Sequence, residues 1–420
     1  MGSMGWPLSF ELTELIATRL TNWSDVASMQ RVCRAMRYVC SRSLVVVACS
    51  RGLSAACQSG NADIVNMLLC TDISPDTGGL LVTAAHLGHL DVARVLLMHG
   101  AVPDEEALIA AVRSEHYDVM MLLLTWGDNP PHADCRGGQA MFYACYHKNP
   151  RIAHTLLSWP RHAPRADCMN SRPFFAACMH ADISVVEAFM TRGARASVHD
   201  SAALAFAASE GRVDVVHLLL TFLRDPAKAD SRGGALALMV ACKYGHLEVA
   251  ELLLSHNLRA DCSEGVALVA ACYKGQVRVA KMLLARKFDA PSPDCRNCEA
   301  FIKACEGGHA DVAALLLSHL SHLSHRIGSK LRSAIPEVLE SVCRQGHVST
   351  LRVLLKASPG ADYGNCVPRA LLAACRQGHT AIVGMLIIYV PRGCCMVMEE
   401  AVDTATRHGH LAVRELLMSF

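Results

Sequence analysis

The sequence predicts an all-α solenoid of about twelve repeats behind a small N-terminal helical module. The first observation is a recurring phrase: Ala, then Cys or Ala, two variable residues, Gly-His, and an apolar run ending in Leu-Leu. The second is a spacing of 27 to 38 residues between successive glycine positions. A period of about 32 residues over most of a chain is typical of stacked repeats. The glycine position falls at Gly60, Gly88, Glu115, Lys148, Ala181, Gly211, Gly245, Gly275, Gly308, Gly346, Gly378 and Gly409.

One copy shows why each repeat should be a helix pair. Residues 235–244 are mostly small or apolar, as in a helix buried on two sides, and Gly245 then interrupts the pattern where a turn favours a residue without a Cβ. Residues 246–255 place apolar side chains at helical spacing, which predicts a second, amphipathic helix. Asn257 follows where a left-handed cap is expected. One such pair cannot bury its own apolar face, so the repeats should stack.

Composition supports a folded chain without a strongly charged partner. The 420 residues are 52% hydrophobic and 19% charged, which suits a large core, and the formal net charge is only +2. No apolar stretch approaches the roughly 18 residues that a membrane span needs. The N-terminus lacks a basic region followed by an apolar core, so we expect no secretory signal.

The cysteines and histidines fall into fixed positions of the repeat. Free cysteine behaves as a small core hydrophobe, so we expect the position after the alanine to be buried and the chain to be reduced, in the cytoplasm or nucleus. Histidine after the glycine should bond backbone at the turn, because neighbouring repeats are too far apart to share one metal ion. The cysteines at the repeat position are Cys57, Cys145, Cys178, Cys242, Cys272, Cys305, Cys343 and Cys375.

The repeat resembles the ankyrin repeat. That family's phrase is Thr-Pro-Leu-His-x-Ala-Ala-x-x-Gly-His, followed by a second helix that ends in Leu-Leu and Gly-Ala. Here the second half of the phrase matches along residues 53–420, and Gly100-Ala101 matches the end. The Thr-Pro-Leu-His half is mostly absent, and Pro173 is the proline most clearly kept. The resemblance implies a solenoid that binds other proteins and has no catalytic activity.

Residues 6–40 do not fit the repeat, and their order resembles the F-box. As in that family, a proline precedes Glu-Leu, then Ile after three residues, Leu four later, Asp-Val, and Val-Cys-Arg. Met36 stands where the family usually has tryptophan. The resemblance implies that these residues bind the Skp-type adaptor of a cullin ubiquitin ligase. The matching positions are Pro7, Leu12, Ile16, Leu20, Val26, Val32 and Met36.

Two readings of this segment stay open. In the first, residues 1–45 are an F-box-like module, 46–52 a linker and 53–420 the solenoid, and the protein is the substrate-recognition subunit of a ubiquitin ligase. In the second, the N-terminal helices only shield the apolar end of the first repeat, as solenoids require. Both large DNA viruses and eukaryotes join F-boxes to ankyrin repeats. The first reading therefore predicts that the protein is located in the cytoplasm or nucleus, or in the host cytoplasm if it is viral.

The two variable residues before Gly-His are the candidate binding positions. In the ankyrin family they lie exposed at the end of the first helix and line a concave groove; the alternative is that they are merely solvated helix ends. The twelve pairs here hold six Lys or Arg against two Glu. Arg and Tyr are frequent anchors of protein interfaces. The predicted groove residues are Arg113, Tyr146, Lys243, Tyr244, Tyr273, Lys274, Arg344, Arg376 and Arg407.

No motif points to catalysis, a cofactor or a metal. The chain lacks a phosphate loop, a Gly-x-Ser-x-Gly elbow and a His-Glu-x-x-His motif. Cys295-x-x-Cys298 has no second pair at zinc-ribbon spacing, so we expect an ordinary turn there. The Ser-His-Leu tandem at 318–325 lies in the longest spacing and is expected to be a surface insertion. Few stacking aromatics (5% of the chain) also argue against nucleic acid as a partner.

Overall fold

The computed structural model describes residues 52–70, 77–320, 325–357, 366–390 and 395–420, and in these ranges it contains helices and no strand. They form twenty-four α-helices in twelve consecutive pairs. The all-helical class and the twelve repeats predicted from the sequence are confirmed. Within the same ranges, no helix is both long and apolar enough to cross a membrane.

The chain divides into two compact units, Met1–Arg195 and Ala196–Phe420. The described part of the first unit contains helices α1 to α10, and the second unit contains α11 to α24. In chain order α1 to α10 are 52–59, Ala62–Leu69, Thr77–Leu87, Leu90–Met98, Glu105–Arg113, Tyr117–Thr125, Cys135–Tyr146, Pro150–Ser158, Arg172–His180 and Ile183–Thr191. Helices α11 to α24 are Val198–Ser209, Val213–Thr221, Arg232–Tyr244, Leu247–Ser255, Cys262–Tyr273, Val277–Leu284, Cys295–Glu306, Ala310–Leu320, His325–Gln345, Val348–Ala357, Val367–Gln377, Thr380–Leu386, Cys395–Arg407 and Leu411–Met418.

Each unit is built of two helix layers. The first helix of a pair packs against the first helix of the next pair, so that α13 lies between α11 and α15. The second helices do the same, so that α14 lies between α12 and α16. The ends of consecutive first helices therefore follow one another along the edge of each unit, which aligns the variable residues predicted to bind a partner.

The turn inside each pair forms at the predicted glycine position. Gly245 ends α13 in the left-handed conformation, with φ 83°, and His246 begins the next helix. Asn257 ends the second helix with φ 66°, as its predicted role as a left-handed cap requires. Between these points Leu253 is fully buried and Leu254 is 5% exposed, and burial of each contributes about 1.5–3 kcal/mol.

In five repeats an unpredicted left-handed turn lies in the first residues of the first helix or directly before it. Three consecutive residues have positive φ there, although most of them are not glycine. In each case the N–H of the third residue donates to a carbonyl four residues earlier, as Cys298 does to Asp294 at 3.2 Å. Cys295 and Cys298 of the Cys-x-x-Cys motif belong to one of these turns. The five segments are 136–138, 169–171, 199–201, 263–265 and 296–298.

The repeat-position cysteines are core residues, as predicted. All eight have no exposed surface and are in the reduced form. Burial raises the pKa of the Cys57 and Cys375 thiols to about 11, and that of Cys272 and Cys343 to about 12. These side chains therefore stay protonated and contribute packing rather than chemistry.

Candidate functional site

Histidines after the glycine connect one repeat to the preceding one. The Nε2 of His309 lies 3.1 Å from the carbonyl oxygen of Tyr273, and the Nε2 of His410 lies 3.0 Å from that of Arg376. A carbonyl oxygen only accepts, so Nε2 carries the proton. The prediction that these histidines bond backbone is confirmed for six of the seven, but the bond crosses between repeats. The other four such contacts join His89 to Gln58, His116 to His86, His246 to Ser209 and His379 to Arg344. The exception is His347, whose Nε2 lies 2.9 Å from the side-chain Oε1 of Gln345.

The acceptor in all six contacts is the first of the two variable residues. Its backbone is thereby fixed by the next repeat while its side chain points outward, as Tyr273 (47% exposed) and Arg376 (exposed) illustrate. The histidine clamp, meaning this imidazole–carbonyl contact, therefore orients the residues predicted to bind a partner.

The clamp explains where glycine is replaced. At Gly346 and Gly378 a Cβ would come within 2.7 Å of the imidazole of the next repeat. Glu115 and Lys148 occupy this position in the third and fourth repeats, and in the repeats that follow them Asn149 and Asp182 stand at the histidine position. These short side chains cap their own helices, as shown by the Asn149 Oδ1 that accepts from Ile152 at 3.1 Å. These two large side chains at the glycine position thus occur where no imidazole of the next repeat lies over the turn.

The predicted groove residues all lie at the surface. Eight of them are exposed and Lys243 is half-buried. In the second unit, the ammonium of Lys243 lies 5.3 Å from the ring centroid of Tyr244, and that of Lys274 lies 5.1 Å from the ring of Tyr273. These pairs end α13 and α15, which pack against each other, and about half of each ring is exposed. They present two cations and two aromatic rings on neighbouring repeats.

The arginines of the last three repeats differ in their partners. Arg344 forms an ion pair with Glu340, and Arg407 pairs with Asp403 at 3.2 Å. Exposed pairs of this kind contribute little stability, about 0–1 kcal/mol. Arg376 forms no ion pair within the described ranges, so its guanidinium remains available to another protein.

The first unit holds a group of aromatic side chains that sequence reasoning only partly found. Phe142, Tyr143 and Tyr146 share one face of α7, with ring centroids of Phe142 lying 5.7 Å from Tyr143 and 6.0 Å from Tyr146. The next repeat adds His180, whose ring meets Tyr146 edge-on at 5.5 Å. The Nδ1 of His180 is buried and has no hydrogen-bond partner within the described ranges.

Two arginines from the adjacent first helices lie over these rings. The guanidinium carbon of Arg113 is 5.8 Å from the Tyr143 centroid, and that of Arg172 is 5.8 Å from the Phe142 centroid. Arg113 and Tyr146 were predicted. His180 is a variable residue of its repeat but was not selected, and the remaining members were missed because they lie a turn or more before their variable pairs. The α7 periodicity is the signal that was overlooked. We call the following residues the aromatic–arginine cluster: Arg113, Phe142, Tyr143, Tyr146, Arg172 and His180.

The other chemically suggestive residues form no site in the described part of the chain. No group of three or more His, Cys, Asp or Glu side chains in these residues is placed to hold a metal ion. Cys298 is fully buried in its left-handed turn. His319 is exposed at the end of α18, while 321–324 of the predicted surface insertion lie outside the described residues.

The predicted adaptor-binding positions also lie outside the described residues, which begin at 52. They stay predictions from the sequence, together with the boundaries of the module and its linker. These positions are Pro7, Leu12, Ile16, Leu20, Val26, Val32 and Met36.

Comparison with known proteins supports the repeat assignment. The family model described as Ankyrin repeats (3 copies) matches residues 81–170, 174–264, 204–294 and 238–330, which together cover more than half of the chain. No curated protein matches the chain significantly. The matched residues include both Lys–Tyr pairs and every residue of the aromatic–arginine cluster except Arg172, which lies between two matched segments.

Proposed function

Because the chain belongs to the ankyrin-repeat family and is therefore a protein-interaction scaffold, we propose that it is the substrate-recognition subunit of a Skp–cullin–F-box type ubiquitin ligase. In this role the repeats hold the target protein and the N-terminal segment binds the adaptor. The chain performs no chemistry itself; it raises the effective concentration of the target near the ligase. The proposal implies a cytoplasmic or nuclear protein.

The observation that best supports target binding is the arrangement of exposed aromatic and cationic side chains at the ends of the first helices. Tyr244 and Tyr273 are each about half exposed on adjacent repeats, and a histidine clamp fixes the backbone of Tyr273. Fixing a backbone before binding reduces the entropy lost on association. Tyr and Arg side chains of this kind supply much of the binding energy at protein interfaces.

The ligase role is supported by the order of residues in the N-terminal segment. Leu12, Ile16 and Leu20 keep the F-box spacing, and Val32 follows Asp25 at the expected distance. Met36 replaces the usual tryptophan with a flexible apolar side chain of smaller contact area. We therefore expect the adaptor to bind, with a weaker contact at this position.

The proposal is tested by co-precipitation of the full chain with a purified Skp-type adaptor. The variant I16D/V32D places two charges in the predicted contact and should lose adaptor binding while its helical circular dichroism is unchanged. The matched control M98D/V102D adds the same charges at two apolar side chains of the repeats that are 70% and 68% exposed, and it should bind normally. No binding by the unsubstituted chain at micromolar concentration would exclude the ligase role.

The alternative function is a non-catalytic scaffold whose N-terminal helices only cap the first repeat. It predicts that I16D/V32D loses helicity or lowers the urea midpoint, because an end cap shields apolar surface of the repeats. Loss of stability without any adaptor binding by the parent chain would favour this reading.

A further inference from the structure

The aromatic–arginine cluster carries positive charge that its surroundings do not neutralise. Arg113 and Arg172 are both exposed, and within the described residues neither forms an ion pair with a carboxylate. Their contacts with Tyr143 and Phe142 are cation–π contacts at exposed positions, which contribute only about 0.5–1 kcal/mol. The N–H donors of both guanidinium groups therefore remain available to carboxylates of another molecule.

Between the two arginines lies an aromatic surface. Phe142 and Tyr143 are half-buried, while Tyr146 is 53% exposed and carries a hydroxyl at its edge. An unsatisfied buried nitrogen, the Nδ1 of His180, lies in the ring that meets Tyr146, and such a group costs about 1–3 kcal/mol of stability. A local arrangement that sacrifices stability is typical of a functional surface.

The geometry favours a peptide over a nucleic acid. Single-stranded nucleic acids bind by stacking bases on free ring faces. Here the chain's own guanidinium groups lie over Tyr143 and Phe142, and the rings of Phe142 and Tyr146 lie against each other. Few ring faces are left for bases, whereas ring edges and guanidinium donors suit aliphatic and carboxylate side chains.

We propose that the aromatic–arginine cluster binds an acidic segment of a partner protein, whose carboxylates pair with Arg113 and Arg172 and whose apolar side chains rest on Tyr143 and Tyr146. This inference rests on the protein-binding part of the proposed function and is independent of the N-terminal segment. Adaptor co-precipitation and peptide binding therefore fail or succeed separately.

The test measures fluorescence anisotropy of a labelled twelve-residue peptide, Asp-Leu-Glu repeated four times, with the full chain. The peptide in which Lys replaces every acidic residue and a twelve-nucleotide oligothymidylate are measured in parallel. We expect the acidic peptide to bind at micromolar concentration and the other two to bind at least about tenfold more weakly, a difference of about 1.4 kcal/mol.

Variants then locate the binding surface. R113E/R172E should weaken the acidic peptide at least about tenfold, and Y146A should weaken it about threefold to tenfold with the charges intact. The matched control R94E/R161E makes the same change of charge at two exposed arginines of the first unit that lie outside the first helices, and it should change binding by less than about twofold. Circular dichroism and urea midpoints establish that all variants are folded.

Three results would overturn the inference. The first is no binding of the acidic peptide by the parent chain up to about millimolar concentration. The second is an equal loss in R113E/R172E and R94E/R161E, which would mean attraction to the net charge alone. The third is tighter binding of oligothymidylate that R113E/R172E abolishes, which would make the cluster a nucleic-acid surface.

Discussion

The imidazole of His410 lies against Gly378 of the preceding repeat, and a Cβ placed on Gly378 would fall 2.7 Å from its Nδ1. The same ring bonds the carbonyl of Arg376 through Nε2 at 3.0 Å. The glycine is therefore needed twice, once for its positive φ of 76° and once for the space that the imidazole occupies. This relationship, repeated along both units, leads to the first three predictions.

Alanine at the glycine position should lower the stability more where an imidazole lies above the glycine than where none does. Gly378 and Gly409 share a φ of 76°, but nothing lies within 4 Å of a Cβ on Gly409. We expect G409A to lose about 1–2 kcal/mol of stability from the left-handed conformation alone, and G378A to lose a further 1–3 kcal/mol or so from overpacking. Urea midpoints measure both, and equal losses would contradict the role of His410.

Loss of an imidazole should destabilise the boundary between two repeats. H309A removes the bond to Tyr273 and leaves space over Gly275, so we expect a loss of about 1–3 kcal/mol. H309Q should lose less, because Gln276 already occupies the equivalent place over Gly245. The control H217A removes an exposed histidine from α12 and should change the urea midpoint little. A loss in H217A as large as that in H309A would disprove this account.

A clamp should be transferable to a boundary that lacks one. N149H alone introduces an imidazole opposite Glu115, where its ring meets a Cβ and the Asn149 cap is lost. E115G alone only removes the backbone strain of a glutamate in the left-handed conformation, with φ 64°. Combined, the two changes recreate the Gly–His pair, so we expect a favourable coupling of about 1–2 kcal/mol in a double-mutant cycle of urea unfolding. Additive effects would show that glycine and histidine are independent.

The buried thiols should make the protein sensitive to alkaline pH. The pKa of Cys57 and of Cys375 rises from an ordinary value of 9.0 to about 11 on burial, so from pH 9 to 11 the folded chain keeps protons that the unfolded chain loses. Stability therefore falls with rising pH in this window, by up to about 1.4 kcal/mol per pH unit for each thiol. We expect a shallower fall of the urea midpoint in C57A/C375A, and an equally steep fall would refute the assignment.

The local pattern of the sequence determined most of the fold. The Ala-Cys-x-x-Gly-His phrase contains a helix end, a left-handed turn and a helix start within six residues, so the twelve pairs followed from short-range rules. Burial of Cys242 and its equivalents followed from the same repetition. The left-handed turn at 296–298 did not follow, because Arg, Asn and Cys carry no intrinsic preference strong enough to predict three consecutive positive φ angles.

Contacts between repeats were beyond sequence reasoning. The acceptor of His309 lies 36 residues earlier, and nothing in a single repeat distinguishes it from a carbonyl of the same turn. Arg172 reaches Phe142 for a similar reason: the pair forms only once α7 and α9 are packed together. The exposed ends of the first helices were predictable, but how their side chains group was not.

The paired positions of glycine and histidine limit how this array can change over time. Each Gly–His pair joins two consecutive repeats. A repeat with Glu115 or Lys148 at the glycine position therefore tolerates only a following repeat with a short residue, such as Asn149 or Asp182, at the histidine position. Duplication of a histidine-bearing repeat directly after either one would bring an imidazole against a side chain. The order of the repeats is therefore constrained by the residue pairs at their boundaries. Recombination that yields a folded protein should join repeats so that every new boundary again pairs a glycine with a histidine.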